Sequence, residues 1–432
     1  MLELMLMSVV AMVAVDTSMA HPDASAGKRA GSLAPATATA PPVTGALSLD
    51  QALTLARQYH PAAAESAAIA QAAGLRARDE AHWLNPTLDL TEENFGGGLR
   101  RTAETTISAS QPFEIGGARR ARAQLADALE RLAAAGLASR EREIALGTGG
   151  AFLDAWWLER RLALLRRLED VASASIAAAE ERTKAGAGPP VEGLRARTVL
   201  AERRIERREV EAELAAARRQ LALQWGAQAA TFDTLALPDP VLPAEPAPGA
   251  WSTALEQHPE RLTAQAERDA ADARLREAKA MRIPDLTVTG GVRHFQEFST
   301  NGFVAGLSLP LPLWNRHGQL VRAAEAEKQA ADLHANTVQA RLQLDLVAAR
   351  ERLQAAVERN EDARTRLVPA AREALVELQR GYRAGRFTYL DQLEGQRAAA
   401  EAELTLLQTA RDAWSARLEL EALVGTTTEV HR

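Results

Sequence analysis

The apolar positions along the chain follow two different periods, and the switches between them mark its elements. From Leu49 the pattern is helical, with Ser48 and Gln51 spaced as a capping box ahead of it. It runs on to Asn85-Pro86, where the proline ends it. Thr87-Leu88-Asp89-Leu90-Thr91 then alternates with period two, Gly96-Gly97-Gly98 reads as a turn, and Thr106-Ile107-Ser108-Ala109-Ser110 alternates again. From about Ala118 to Thr183 the pattern is helical without a proline, long enough to extend about 100 Å at 1.5 Å per residue. A glycine turn at Gly186 follows, then a second helical run. The second half repeats the plan: a helix capped by Ser252 or Thr253 and stopped at Ile283-Pro284, strands carrying Leu286, Val288 and Val292 on one parity against Thr287 and Thr289. A turn at Asn301-Gly302 and the run Phe303, Ala305, Leu307, Leu309 come next, then long helices turning at Gly385.

The two halves keep register. His60-Pro61 recurs as His258-Pro259, 198 residues on (258 − 60). Pro86 and Pro284, and Pro112 and Pro310, keep that same offset of 198, and Gly186 and Gly385 differ by 199. We therefore expect two structural repeats. Residues 1–20 read as a signal peptide, apolar from Leu2 to Val15 with Ser18-Met19-Ala20 before His21. Residues 21–46 read as a disordered lead-in, 47–236 as the first repeat, 237–250 as a proline-rich linker and 251–432 as the second.

Composition sharpens this. Aromatics are 4% and charged residues 25%, with Ala, Leu, Arg and Glu prominent, which favours long helices with solvated faces. The net charge of −6 leaves no basic footprint for nucleic acid. There is no cysteine, so disulfides, thiolate metal sites and cysteine nucleophiles are excluded. The histidines show no ligand spacing and no catalytic motif occurs, so no metal site, cofactor or catalytic residue is expected. No segment offers 18 uncharged apolar residues, so any membrane passage must be a barrel. Four strands do not close one; three copies giving four each would, whereas a small soluble sheet capping a helical bundle fits the alternation too. Trp83, Phe113 and Trp314 flank the strands, where either an interface belt or packing beneath a barrel would place them.

Several stretches together resemble the TolC-like outer-membrane efflux protein family: Leu47-Ser48-Leu49-Asp50-Gln51-Ala52-Leu53 with His60-Pro61, Asn85-Pro86 before a strand, and Tyr382-Arg383-Ala384-Gly385 with Leu390-Asp391-Gln392-Leu393. Ser308-Leu309-Pro310-Leu311-Pro312-Leu313-Trp314-Asn315-Arg316 looks like the strand exit of its cobalt–zinc–cadmium branch. The chain departs from the family at Gly147-Thr148-Gly149-Gly150, expected to interrupt a helix, and at Gly188-Pro189-Pro190. The resemblance implies a mainly α fold with a small β part: long hairpins forming a periplasmic tunnel, and four strands per protomer in a trimeric twelve-strand barrel. It implies an outer-membrane homotrimer that works with a periplasmic adaptor and an inner-membrane resistance-nodulation-division transporter, exporting heavy-metal cations and doing no chemistry. A drug or type I secretion duct and a soluble periplasmic coiled-coil scaffold are the alternatives. By resemblance Asp391 and Glu394 line a periplasmic gate, and Gly186, Val191, Gly385 and Leu390 mark the hairpin tips that face the adaptor, though each could serve only to close its hairpin.

Overall fold

The computed structural model describes residues 40–94, 103–186, 188–238 and 250–425. The signal segment, Gly96-Gly97-Gly98 and nearly all of the 237–250 linker lie outside these residues, as does the Ser252 side chain. In chain order the elements are β1 (Ala46–Ser48), α1 (Leu49–Tyr59), α2 (Pro61–Glu80), β2 (Thr87–Glu93), β3 (Glu104–Phe113), α3 (Ala118–Lys184), α4 (Val191–Leu223) and β4 (Thr234–Ala236). There follow α5 (Ala250–Glu256), α6 (Pro259–Ala280), β5 (Leu286–Phe295), β6 (Thr300–Ser308), α7 (Gly318–Asp362), a π turn (Ala363–Leu367), α8 (Val368–Arg383) and α9 (Tyr389–Val424). The chain is mainly helical, and among the described residues no helix is long and apolar enough to cross a membrane.

Two compact units form. The first comprises Ile69–Ala134 and Ala264–Ala335 and contains the larger sheet. Its strands lie in the order β2-β3-β5-β6, antiparallel throughout, with β2 and β6 as the two edges. Beneath the sheet the helices pack through small side chains: Ala128 of α3 against Ala270 and Ala273 of α6, and Leu275 and Ala278 of α6 against Val321 and Ala324 of α7. Alanine lets such long helices approach closely along their length, where bulkier residues would hold them apart. Lys328 clamps the same region with a 2.7 Å bond to Asp272.

The second unit comprises 36–68, 135–263 and 336–432. Its core gathers Leu47, Leu53, Phe152, Trp156, Leu221, Trp225, Phe232, Leu235, Trp414 and Leu418. A parallel pair, β1 on β4, closes this core, with Leu47 paired to Leu235. Further along, α3 and α4 zip together through Leu158, Leu162, Leu165, Val210 and Leu214.

The structure amends the sequence reading in several places. The helix expected from Ser48 to Pro86 is two, broken at His60, whose ring Nδ1 accepts from the Ala62 amide at 3.1 Å. His258 does the same for Glu260 at 3.3 Å. The recurring His-Pro pair is thus a histidine N-cap followed by proline at the first helical position. The expected lead-in is hydrogen-bonded before Ala46: Val43 N donates to Thr231 Oγ1 at 3.0 Å and Gly45 N to Asp233 Oδ2 at 3.2 Å. Gly147-Thr148-Gly149-Gly150 does not interrupt α3, which runs unbroken through it. A Cβ on Gly149 would lie 2.6 Å from a Leu418 methyl of α9, and Thr148 is fully buried, so Gly149 serves close packing. The turn expected at Asn301-Gly302 falls at residues 296–299, and Asn301 sits within β6, where its Oδ1 meets His294 Nδ1 at 2.8 Å. Sequence gave no sign of the π turn, which lies just ahead of Pro369; its wider spacing accommodates the missing proline amide.

Candidate channel-forming surfaces

The register of the sheet sorts its side chains by chemistry. Leu88 stands opposite Ala109 and Leu90 opposite Ile107, Ile107 opposite Val292, Val292 opposite Phe303, and Val288 opposite Leu307. Paired residues share a face, so these form one apolar surface. Its outer members are strongly exposed: Leu88 at 68%, Leu90 at 71%, Leu307 at 75% and Phe303 at 92%. The opposite face is polar. Ser110 Oγ meets Thr289 Oγ1 at 2.9 Å, and Arg293 spans three strands, bonding Glu104 at 2.9 Å, Glu93 at 3.3 Å and Thr106 Oγ1 at 3.0 Å. A soluble sheet caps its core with the apolar face and wets the polar one. Here, among the described residues, nothing covers the outer members of the apolar face.

The three flanking aromatics all lie in this unit. Trp83 and Phe113 meet edge to face with centroids 6.1 Å apart, and the Arg119 guanidinium sits 4.4 Å over the Trp83 ring. Trp314 is 93% exposed at the end of the strip Leu309, Leu311 and Leu313, which are exposed as well.

The hairpin tips belong to the second unit. α3 ends in a turn with Gly186 at φ 67°, and α8 in one with Gly385 at φ 75°. Both are left-handed conformations in which a Cβ would cost roughly 1 kcal/mol. Val191 and Leu390 start the following helices with their side chains exposed. Asp391 holds a post that the sequence reading missed. Thr388 N and Thr388 Oγ1 each donate to Asp391 Oδ2 at 2.7 Å, while Asp391 N donates to Thr388 Oγ1 at 3.2 Å, a complete capping box for α9. These bonds from the Thr388 hydroxyl, then its amide, hold the carboxyl below its ordinary value. The cap is therefore intact above the ordinary carboxylate range and is lost as pH falls through that lowered value. Glu394, one turn on, is exposed on the same face.

Between the two tips lies a buried cluster that the sequence reading did not assign. Tyr382 OH donates to Glu192 Oε2 at 2.8 Å. Arg182 stacks 4.4 Å over the Tyr382 ring, donates to the Tyr382 carbonyl at 2.9 Å and stands 3.9 Å from the Glu192 carboxylate. Tyr389 packs edge-on against Tyr382 at 6.1 Å. Burial, reinforced by the Glu192 carboxylate, pushes the Tyr382 hydroxyl up to about 12, so it remains a donor at neutral pH. The contact ties α4 of the first hairpin to α8 of the second. One signal was available: the chain has only three tyrosines, and two of them fall here. Among the described residues, no group of three His, Asp or Glu side chains is placed to hold a metal ion.

The chain is similar to known proteins in sequence and in fold. The sequence pattern of the family described as "Outer membrane efflux protein" matches residues 44–227 and 250–426. The cobalt-zinc-cadmium resistance protein CzcC of Cupriavidus metallidurans is 29% identical over 328 residues, covering 76% of this chain and 78% of that one. The nickel-cobalt-cadmium resistance protein NccC of Alcaligenes xylosoxydans xylosoxydans is 31% identical over 312 residues, 70% of this chain and 68% of its own. In fold, the chain superposes on the outer membrane protein VceC of Vibrio cholerae with a TM-score of 0.74 at 19% identity, covering 87% of this chain and 96% of that one. For CusC the TM-score is 0.75 at 18% identity, over 87% and 91%.

Proposed function

The chain belongs to the outer membrane efflux protein family, a family of channel proteins and not of enzymes, and on that premise we propose that it is the exit duct of a pump for divalent heavy-metal cations. Three copies set their sheets edge to edge in a twelve-strand barrel, and the helical hairpins of two repeats, residues 47–236 and 251–432, continue it into a periplasmic tunnel. The bare apolar face of a sheet with two open edges carries this reading. Unpaired strand edges and exposed leucines are both unstable in water, and one closure in lipid satisfies both. Trp83, Phe113 and Trp314 then sit at the inner interface of the outer membrane, where amphipathic rings settle.

The metal-resistance names of CzcC and NccC support the cargo class. Cations pass without a resident site, and selection falls to an inner-membrane transporter of the resistance-nodulation-division type. A periplasmic adaptor bridges the two by meeting Gly186, Val191, Gly385 and Leu390 at the tips. Fractionation tests the core of this: the protein should be recovered from outer membranes at three times the protomer mass in mild detergent. Its deletion should lower tolerance to cobalt, zinc or cadmium salts. A detergent-free periplasmic monomer would overturn the channel.

Asp391 and Glu394 line the periplasmic entrance, three copies of each. Because Asp391 also caps α9, Glu394→Gln is the cleaner probe. It should raise single-channel conductance severalfold less than Glu394→Gln with Asp391→Asn together, and the double variant should resist block by multivalent cations. Unchanged conductance in both removes the gate.

A further inference from the structure

The geometry of the sheet points to how neighbouring copies join. We propose that β6 of one copy pairs with β2 of the next in a stepped register, four to six residues off the straight row, so that Leu309 hydrogen-bonds into the neighbour's β2. The proposal rests on the shared-barrel reading above and adds the seam to it.

Backbone direction comes first. Gln296 N donates to Ala103 O at 3.1 Å, in the row just beyond the Glu104–Phe295 pair. In an antiparallel ladder, alternate residues turn their amide and carbonyl to opposite neighbours. Carried across the observed pairs, Thr87, Asp89, Thr91 and Glu93 bond inward to β3, while Leu88, Leu90 and Glu92 point out of the sheet edge. By the same alternation Phe303, Ala305 and Leu307 point out of the β6 edge. Both free edges thus offer the backbone of their apolar-face residues. Pairing them keeps lipid face with lipid face, and the register can change only in steps of two.

The Leu-Pro run extends the β6 edge. Pro310 and Pro312 fall on the parity whose amides would point toward β5, yet β5 begins only at Leu286, so no partner there is lost. Leu309 keeps its amide on the outer side. The chain turns shortly afterwards, where Leu313 N donates to Leu311 O at 2.9 Å. This edge therefore reaches past the last ladder pair at Ser308 on the side facing a neighbour.

Closure sets the size of the step. Four strands about 4.8 Å apart span about 19 Å, and a tilt of roughly 35–45° over that width climbs about 13–19 Å. At about 3.3 Å per residue that is roughly four to six residues per copy. A step toward the helices places Leu309 opposite Leu88 (four) or Leu90 (six) of the neighbour. A step of four the other way sets Leu88 against Asn301 and Leu307 against His82, which lies in the turn after α2 and not in a strand. Only the first direction keeps β2 against extended chain.

The chain has no cysteine, so introduced pairs report cleanly. Ser308 lies on the polar face at a position that is not hydrogen-bonded across the seam. Cα atoms there stand about 4.5 Å apart, within disulfide reach. Full-length Ser308→Cys is combined in turn with Asp89→Cys (step of four), Thr91→Cys (six), Asn85→Cys (none) and Ala81→Cys (four the other way), then oxidised in mild detergent. Covalent species of two and three protomer masses, reversed by reductant, are expected with Asp89→Cys or Thr91→Cys. Linkage through Asn85→Cys or Ala81→Cys, or no linkage in a particle of trimer mass, overturns the register and leaves the barrel standing. No linkage in a particle of monomer mass overturns both. Should Ser308→Cys fail to assemble, Gly306→Cys against Thr91→Cys (four), Glu93→Cys (six) or Thr87→Cys (none) reads the same registers.

Discussion

Glu192→Ala should loosen the hairpin tips, lowering the stability of the purified protein by about 2–3 kcal/mol and raising single-channel conductance. Glu192 is 8% exposed and is the acceptor for the Tyr382 hydroxyl, with Arg182 close by. Truncation leaves a buried hydroxyl without its acceptor and takes away the carboxylate 3.9 Å from Arg182, which keeps its bond to the Tyr382 carbonyl. Stranding the hydroxyl costs about 1–3 kcal/mol. Tyr382→Phe should cost less, about 1–1.5 kcal/mol, because it removes the donor and leaves Glu192 beside Arg182. A double-mutant cycle then separates the pair from its surroundings: Glu192→Ala on a Tyr382→Phe background should be milder by about 1 kcal/mol or more. The link joins α4 to α8, so its loss frees one hairpin from the other as well as weakening the tip. Conductance and unfolding should therefore change together. Unfolding midpoints unmoved by Glu192→Ala would show that the cluster bears no load, and lowered stability with unchanged conductance would confine it to packing.

Much of the architecture was legible because it depends on local rules. Period-two alternation from Thr87 and from Leu286 marks strands wherever one face is apolar, and prolines 86 and 284 place the helix ends ahead of them. Gly186 and Gly385 announce their turns because few other residues accept that backbone. Several of the misses depend on contacts between distant segments. The β1–β4 pair joins residues 188 apart, as Ala46 to Thr234, and three residues of strand carry too little pattern to be seen. At Gly147-Thr148-Gly149-Gly150 propensity argues against a helix, yet the approach of Leu418 to Gly149 decides for one. At the tip, the resemblance pointed to Asp391 for its charge, and the structure gives that charge a local duty on Thr388. In sequence, Glu192 is one more carboxylate on an alanine- and arginine-rich helix, with nothing local to set it apart. Only the second hairpin, 190 residues away in sequence, supplies Tyr382 and removes the water.

Acid should destabilise the protein along a limb that His258→Asn flattens. The imidazole is 2% exposed, and its Nδ1 accepts from the Glu260 amide to cap α6, so the neutral ring carries its proton on Nε2. Protonating Nδ1 would break the cap and bury a cation. Burial is the larger cause, Arg142 and Arg341 add repulsion, Asp345 opposes them, and the histidine falls from 6.5 to about 4. Among the described residues, Nε2 of His258 and Nε of Arg142 have no hydrogen-bond partner to soften this. With the native pKa below the unfolded one, the unfolded chain takes up the proton first as pH falls. The contribution is thus complete above pH 6.5 and is lost between there and about 4. A fall of that size corresponds to about 3 kcal/mol, good only to its order. Asparagine caps helices well and does not titrate, so His258→Asn should change neutral-pH stability modestly and remove most of the slope in that window. His60→Asn should flatten the limb less: His60 holds the matching cap on α2 but is only half-buried, so more of its charge is solvated. Denaturant unfolding from pH 7 to 4 discriminates. An unaltered slope in His258→Asn would mean the acid limb belongs to carboxylates such as Asp391, whose cap weakens only at lower pH.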